Sequence, residues 1–340
     1  MLDAYRRTGA DLPFGDPLRG HGTSMEGYYW RIVDVPAGRV IVLLCGVCQG
    51  SGGPWAVVAL AAHPGGFVRH ALVSPAAAEL RTFGVRAREA VRGGPDGLSA
   101  RLGEDAWLEL RLRSPVRWPR RAFGALGPAH ALPGLGQYWQ PAVLAAEVQG
   151  EASIEGVRVG LDGATAYVEK NWGPRFAGHW WWGHAAAFAQ GDVSVAFAGG
   201  RLDLLGQLVS PTALVVRLGE QVLPFSPPLA RMRVEATERV WVVRARSPRY
   251  AVELEGEAGP EPAHVLPVPD VSSGEVEMRS RQHLAGRLRL RLSRNPGGVS
   301  LFEGESPLAG LERGAPASAP EPVRARGGET PGVRAVRGGG

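Results

Sequence analysis

Four short stretches of strict two-residue alternation constrain this chain more than any other feature. Leu108-Glu109-Leu110-Arg111-Leu112-Arg113, the segment Arg231 to Ala236, the segment Tyr250 to Glu255, and Arg287-Leu288-Arg289-Leu290-Arg291-Leu292 each put apolar side chains on one face and charge on the other. That is the pattern of a strand with one face in water. Turn signals separate such segments: Pro64-Gly65-Gly66, Gly93-Gly94-Pro95-Asp96-Gly97, Asp162-Gly163 and Pro296-Gly297-Gly298. Their spacing suits hairpin-linked sheets rather than crossover units. Helical periodicity is confined to Pro75–Arg92, where Ala and Leu predict one short helix. The fold class is therefore all-β with minor helix.

A Pro and Gly cluster from Gly124 to Gly136 interrupts the strand pattern, and a second set of alternating segments runs from about Ala142 to Phe302. At 340 residues and 44% apolar composition the chain is long enough for two cores. Two β-barrels or sandwiches in tandem follow. Beyond about Arg313 the tail is Gly, Ala, Pro, Glu and Arg. It offers too little apolar surface to offset the entropy of ordering and is predicted to be disordered.

The formal charge of +5 is spread among acids rather than gathered into runs, which argues against a nucleic-acid partner. Residues 1–20 carry Arg, Asp and Pro without a signal-like apolar stretch, and no segment holds about 18 uncharged apolar residues. The expectation is a cytoplasmic protein, with room for peripheral contact with a membrane. Cys45 and Cys48 form C-x-x-C, but inside a run of strand formers and without a second ligand pair. They read as buried thiols, and no metal site is expected. Every other cation is Arg, so Lys170, the only lysine, stands out.

The densest polar and aromatic segment runs from Asp162 through Glu169-Lys170-Asn171-Trp172-Gly173 to His179-Trp180-Trp181-Trp182-Gly183-His184. As a strand, 166–172 puts Tyr167, Glu169 and Asn171 on one face and Val168, Lys170 and Trp172 on the other. In the next strand Trp180, Trp182 and His184 share a face opposite His179 and Trp181. Glu169 and Lys170 in a surface turn, with tryptophans merely filling a core, is the plainer alternative. Three consecutive indoles weigh against it, because one of the two faces must be exposed, interfacial or lining a cavity. A second cluster, Met25-Glu26-Gly27-Tyr28-Tyr29-Trp30-Arg31, alternates in the same way.

E-K-N-W-G at Glu169–Gly173, the run Trp180–Trp182 and the acidic-Gly-aromatic opening at Met25–Arg31 together resemble the signatures of the tocopherol cyclase family. Gly136-Gln137-Tyr138-Trp139-Gln140-Pro141 resembles the entry to that family's second half, and Leu308-Ala309-Gly310-Leu311-Glu312 its closing strand. Plant-like members continue with Gly-Gly-Gly-Phe-Pro after the Trp, where this chain has Gly173-Pro174-Arg175-Phe176-Ala177; the departure bears on substrate choice more than on fold.

The resemblance implies two tandem lipocalin-like antiparallel β-barrels, residues 20–135 and 136–312, between an N-terminal extension (1–19) and a tail (313–340). It implies an apolar small-molecule substrate, a prenylated quinol or another isoprenoid, and chemistry that needs no cofactor. A proton delivered to the prenyl double bond lets the phenol oxygen close a chromanol ring. The acid must be protonated near neutral pH, as burial among apolar rings allows. Glu169 is the first candidate and Asp162 the second, with Tyr167 beside them. Trp172, Trp180 and Trp182 would face the cation, each contributing roughly 0.5–2 kcal/mol. Asn171, Tyr167 and His184 would orient the head group, and Lys170, Glu26 and Tyr28 complete the expected binding residues. The same cavity would equally serve a non-catalytic isoprenoid carrier or an isoprenoid hydratase.

Overall fold

The computed structural model describes residues 2–119, 123–204 and 207–315, the side chains of 202–208 excepted. Twelve strands come first: β1 (Met25–Asp34), β2 (Arg39–Gly50), β3 (Gly53–His63), β4 (Phe67–Val73), β5 (Ala76–Ala78), β6 (Val85–Ala87), β7 (Val91–Gly94), β8 (Gly97–Arg101), β9 (Trp107–Arg117), β10 (Tyr138–Ile154), β11 (Val157–Gly160) and β12 (Thr165–Gly173). They form one antiparallel sheet in the order β4-β3-β2-β1-β12-β10-β9-β8-β7-β6-β5, with β11 on β10. The remaining strands are β13 (His179–Ala185), β14 (Val193–Leu204), β15 (Gln207–Val209), β16 (Thr212–Leu218), β17 (Gln221–Phe225), β18 (Arg231–Ala236), β19 (Val240–Arg246), β20 (Tyr250–Glu257), β21 (His264–Asp270), β22 (Glu275–Arg294) and β23 (Ser300–Gly314). Their order is β17-β16-β14-β13-β23-β22-β20-β19-β18, with β15 on β14 and β21 on β22. The first sheet curls into a nearly closed barrel and the second into a half-barrel.

The all-β expectation agrees with this architecture, and three of its details differ. The strands of 138–173, expected in the second barrel, are hydrogen bonded into the first sheet, so the chain changes sheets between Gly173 and His179. Alternation fixes which side chains share a face but not which strand is the neighbour, and the Pro and Gly cluster marks a connection within one sheet. The helix expected over 75–92 is replaced by β5, β6 and β7, whose Ala76, Val85, Ala87 and Val91 point into the barrel. Pairing into an existing sheet outweighs the modest helix preference of a short Ala-rich stretch. Helical turns occur instead at α1 (Leu2–Arg6) and at 127–131. The predicted tail begins later than 313, because β23 runs through Gly314; residues 316–340 lie outside the described residues.

Three apolar clusters follow from the alternation. One fills the first barrel, with Trp30, Leu43, Leu60 and Val168; a second fills the half-barrel, with Phe197, Trp241 and Leu290. The third joins the outer faces of the two sheets, with Tyr29, Trp139, Tyr167, Trp180 and Trp182 meeting Leu266, Val268 and Leu308. Arg31, fully buried, stitches this seam by donating from Nη2 to the carbonyls of Leu284 and Leu308 at 2.8 Å each. In each sheet the first strand pairs with the last, β1 with β12 and β13 with β23. These four strands, central in their sheets, carry the clusters that the sequence singled out.

Cys45 and Cys48 are buried free thiols on opposite faces of β2, since they lie three positions apart. Burial pushes both up to about 12, so both are protonated and poorly nucleophilic. No described helix is long and apolar enough to cross a membrane.

Candidate active site

A cavity of about 370 Å³ lies in the seam between the sheets. Met25, Gly27, Tyr29, Leu44, Trp139, Glu169 and Asn171 line it from the first sheet; Trp180, Trp181, Trp182, Leu266, Val268, Ser280 and Glu312 line it from the second. The connection around Leu126–Tyr138 and the turn at Ser226-Pro227 complete its lining. Leu132, half exposed at 51%, also lines the cavity and so marks a mouth.

Glu169 is buried in the wall contributed by β12. Its Oε2 accepts three hydrogen bonds, from Trp139 Nε1 (2.7 Å), Tyr167 Oη (2.7 Å) and Trp182 Nε1 (2.8 Å). Desolvation raises its pKa to about 7 against the pull of those three donors, with the Glu312 charge adding to the rise. Because the donors all occupy Oε2, the proton of the neutral acid belongs on Oε1, which accepts no bond among the described residues. The arrangement holds a carboxylic acid, proton outward, at the edge of an aromatic-walled cavity.

Two glycines of the motifs are needed for close approach. A Cβ on Gly27 would lie 2.7 Å from Asn171 Oδ1, so β1 must lack a side chain where Asn171 faces the cavity. A Cβ on Gly173, at φ +157°, would lie 2.6 Å from the Gly136 carbonyl, where β12 passes the entry to β10.

The face assignment read from the sequence places Tyr167, Glu169 and Asn171 together at the seam, with Trp180, Trp182 and His184 opposite. Not all of them reach the cavity. Tyr167 sits behind Glu169 and positions it; His184 stacks on Tyr167 at 4.1 Å between centroids, behind the cavity wall. Burial and the nearby Arg31 hold His184 well below its usual pKa, so it is neutral. Asp162 is exposed in a turn, accepting from the Gly150 backbone N–H at 2.8 Å, and is corrected as an acid candidate. Tyr28 borders the cavity but packs its ring inside the barrel against Trp30 and Phe83.

Lys170, Glu26 and Trp172 are corrected as substrate contacts, since alternation turns them into the first barrel. There the N-terminal segment, led by the buried Arg6 of α1, covers them. Lys170 Nζ meets Glu26 Oε2 at 2.7 Å, the Arg19 carbonyl at 2.8 Å and His21 Nδ1 at 3.1 Å. It lies against the Tyr28 and Trp172 rings. His21 Nε2 contacts Asp11 at 2.6 Å, so His21 is the neutral tautomer that donates to Asp11 and accepts from Lys170. Trp172 stacks on His21 and donates to the Gly9 carbonyl at 2.8 Å.

Two cavity residues were not singled out by sequence pattern. Trp139 and Glu312 both fall in segments quoted above only for their family likeness. A signal existed in Leu308, Gly310 and Glu312, which alternate on one face of β23 and end in a carboxyl among apolar neighbours.

Tyr167→Phe should leave the fold intact and remove one donor that favours ionised Glu169. The alkaline limb of any activity that needs the protonated acid should then move to higher pH, as a pH–rate profile would show. An unmoved limb would mean that Tyr167 does not tune this carboxyl.

Residues 108–315 match the family model described as tocopherol cyclase-like, more than half of the chain. The chain is 28% identical over 193 residues to the probable chloroplastic tocopherol cyclase of Oryza sativa subsp. japonica, and 27% identical over 193 residues to the chloroplastic tocopherol cyclase of Zea mays. These matches cover 54% of this chain but only 41% and 40% of the plant proteins. Among solved structures the chain is similar to CghA, with a TM-score of 0.56 at 10% identity over 86% of this chain and 88% of that one, a likeness of fold alone. On the family match, this chain belongs to the tocopherol cyclase-like family.

Proposed function

We propose that this protein is a cyclase that protonates the prenyl double bond of a prenylated quinol, so that the phenol oxygen captures the tertiary cation and closes a chromanol ring. The observation that carries the reading is Glu169, a buried carboxyl with three donors on one oxygen and the other turned to the cavity. Its pKa of about 7 leaves it about half protonated at neutral pH and largely protonated below, while keeping it acidic enough to give the proton up.

Trp139, Trp180 and Trp182 surround the position where positive charge develops, and their ring faces stabilise it without offering a nucleophile. The apolar walls exclude water, which would otherwise trap the cation as an alcohol. Asn171 and Gln137, themselves 3.5 Å apart, offer hydrogen bonds to the quinol hydroxyls. At about 370 Å³ the cavity sits at the small end of the range for drug-sized ligands. It suits the head group and the reacting end of the prenyl chain, with the rest of the chain leaving by the mouth at Leu132.

Anaerobic incubation with a prenylated benzoquinol, followed by mass-resolved chromatography, tests the reading. A product of unchanged mass with chromanol fluorescence is expected. A product heavier by one water would make the protein a hydratase, and saturable binding without turnover would make it a carrier.

The mouth also suits collection of substrate from a membrane surface. Leu132 and Pro227 both line the cavity and are exposed, and Leu229, two residues beyond Pro227, is exposed as well. Leu132→Asp should slow turnover of prenylquinol presented in phosphatidylcholine vesicles about tenfold, by loss of apolar contact, and leave turnover of detergent-dispersed substrate unchanged. Equal slowing in both would place the effect inside the cavity instead.

A further inference from the structure

Glu312 is a second carboxyl in the cavity, partly buried and contributed by the opposite sheet, and its bonding differs from that of Glu169. Oε1 accepts from Trp180 Nε1 and from the Ser280 hydroxyl (2.9 Å), and Oε2 accepts from Gln282 Nε2 (3.0 Å). The Gln282 amide is fully buried, and its oxygen accepts from the Tyr29 hydroxyl at 3.2 Å, which fixes which end of the amide faces Glu312. Desolvation raises the Glu312 pKa and these three donors pull against the rise; both oxygens are served, which suits the carboxylate, whereas Glu169 keeps one oxygen bare, which suits the acid.

The two carboxyls are held by neighbouring indoles on one face of β13, Trp182 on Glu169 and Trp180 on Glu312. Two residues along a strand set the Cα atoms of those tryptophans roughly 6.6 Å apart, so the two carboxyls are served from adjacent positions on the same face of one strand.

Resting on the cyclase reading above, we propose that Glu312 is the proton acceptor of the ring closure, taking the phenolic proton as the oxygen attacks the cation. Glu169 gives its Oε1 proton to the less substituted alkene carbon, forming a C–H bond and leaving the tertiary cation. The phenol oxygen forms the C–O bond with a lone pair, and its O–H bond breaks towards the Glu312 carboxylate. One proton enters and one leaves, so the product is an isomer of the substrate. Exchange with solvent after product release returns Glu169 to the acid and Glu312 to the carboxylate. A separate acceptor leaves the Glu169 carboxylate facing the carbon it has just protonated, while the phenol oxygen loses its proton towards the other wall.

The test follows deuterium. In D2O the wild type should place one deuterium in each chromanol formed. E312Q should lower chromanol formation about 100-fold while recovered prenylquinol and its double-bond isomers still acquire deuterium, because the cation forms and reverts. Binding of the oxidised prenylquinone, which has no phenolic proton, should stay within about threefold in E312Q and so report an intact cavity. E312D keeps a carboxylate and should recover ring closure to within about tenfold of the wild type. Ring closure by E312Q within threefold of wild type would overturn the proposal. So would loss of deuterium uptake and ring closure together, or E312D as inactive as E312Q with quinone binding intact. A wild type that takes up no deuterium and forms no chromanol would instead bring down the cyclase reading itself.

Discussion

Glu169→Gln is expected to lower chromanol formation by about 10²–10⁴-fold, the usual contribution of a positioned general acid, while binding of the prenylated ligand is unchanged. Glutamine is a close copy of the neutral acid. Its amide oxygen takes the place of Oε2 beneath Trp139, Tyr167 and Trp182, and its NH2 points into the cavity without a proton of useful acidity. The wild-type profile should fall tenfold per pH unit above about 7 as the acid ionises, and fall again in acid as the Glu312 carboxylate takes up a proton.

The same group makes stability depend on pH. Unfolded, it titrates near the ordinary carboxyl value of 4.5; folded, it titrates at about 7. Between those values the folded chain holds a proton that the unfolded chain has released. The contribution is therefore complete below 4.5 and lost as pH rises through 7, about 3 kcal/mol in all. Glu169→Gln removes this slope, so the variant should be the more stable of the two at pH 8. Urea denaturation of both proteins at pH 5 and pH 8 measures this. A wild type whose stability is level across that range, with full activity in the variant, would remove Glu169 from the chemistry.

The second large effect is at Lys170. Lys170→Ala strips the partner from Glu26 and opens a void between Tyr28 and Trp172. A buried ion pair broken from one side costs about 3–5 kcal/mol, a fall of roughly 10 °C or more in Tm for a unit of this size. Arginine should fail to rescue it. Three donors of one ammonium reach the Glu26 carboxylate, the Arg19 carbonyl and His21 Nδ1 at 2.7–3.1 Å in a fully buried site, and a planar guanidinium matches neither that geometry nor that volume. Lys170→Met with Glu26→Gln should recover most of the loss, since it removes both charges and keeps an acceptor for the His21 and Gly22 backbone N–H groups. Denaturation midpoints decide the matter, and a Lys170→Ala protein within 1 kcal/mol of wild type would show that the pair is not held in the folded state.

This pocket also gives a physical reason why a lysine stands in a chain whose other 37 cations are arginine. Composition pointed at the residue, and alternation correctly turned it away from Glu169, but only the covering N-terminal segment shows what surrounds it. The legible part of the site was of this local kind. Period two put Tyr167, Glu169 and Asn171 on one face and split the Trp run into Trp180 and Trp182 against Trp181. What stayed illegible was long-range. Glu312 reaches the cavity because β23 pairs with β13 across more than 120 residues, and 138–173 joins the first sheet because β12 closes against β1. Neither pairing leaves a mark within a strand's own sequence. Asp162 was misjudged for a related reason: the Asp-Gly that marks it as a turn also puts it in water.

The placement of the cavity on the outer faces of two sheets, each with its own filled interior, has a consequence for how such a site can diversify. Each sheet supplies one wall and one carboxyl, and a single link, Pro174–Gly178, joins them. Recombination at that link between two family members would pair the acid-bearing wall of one parent with the facing wall of the other while leaving both interiors untouched. Substrate range can thus be reassorted by halves, with the seam as the only surface that has to be re-fitted.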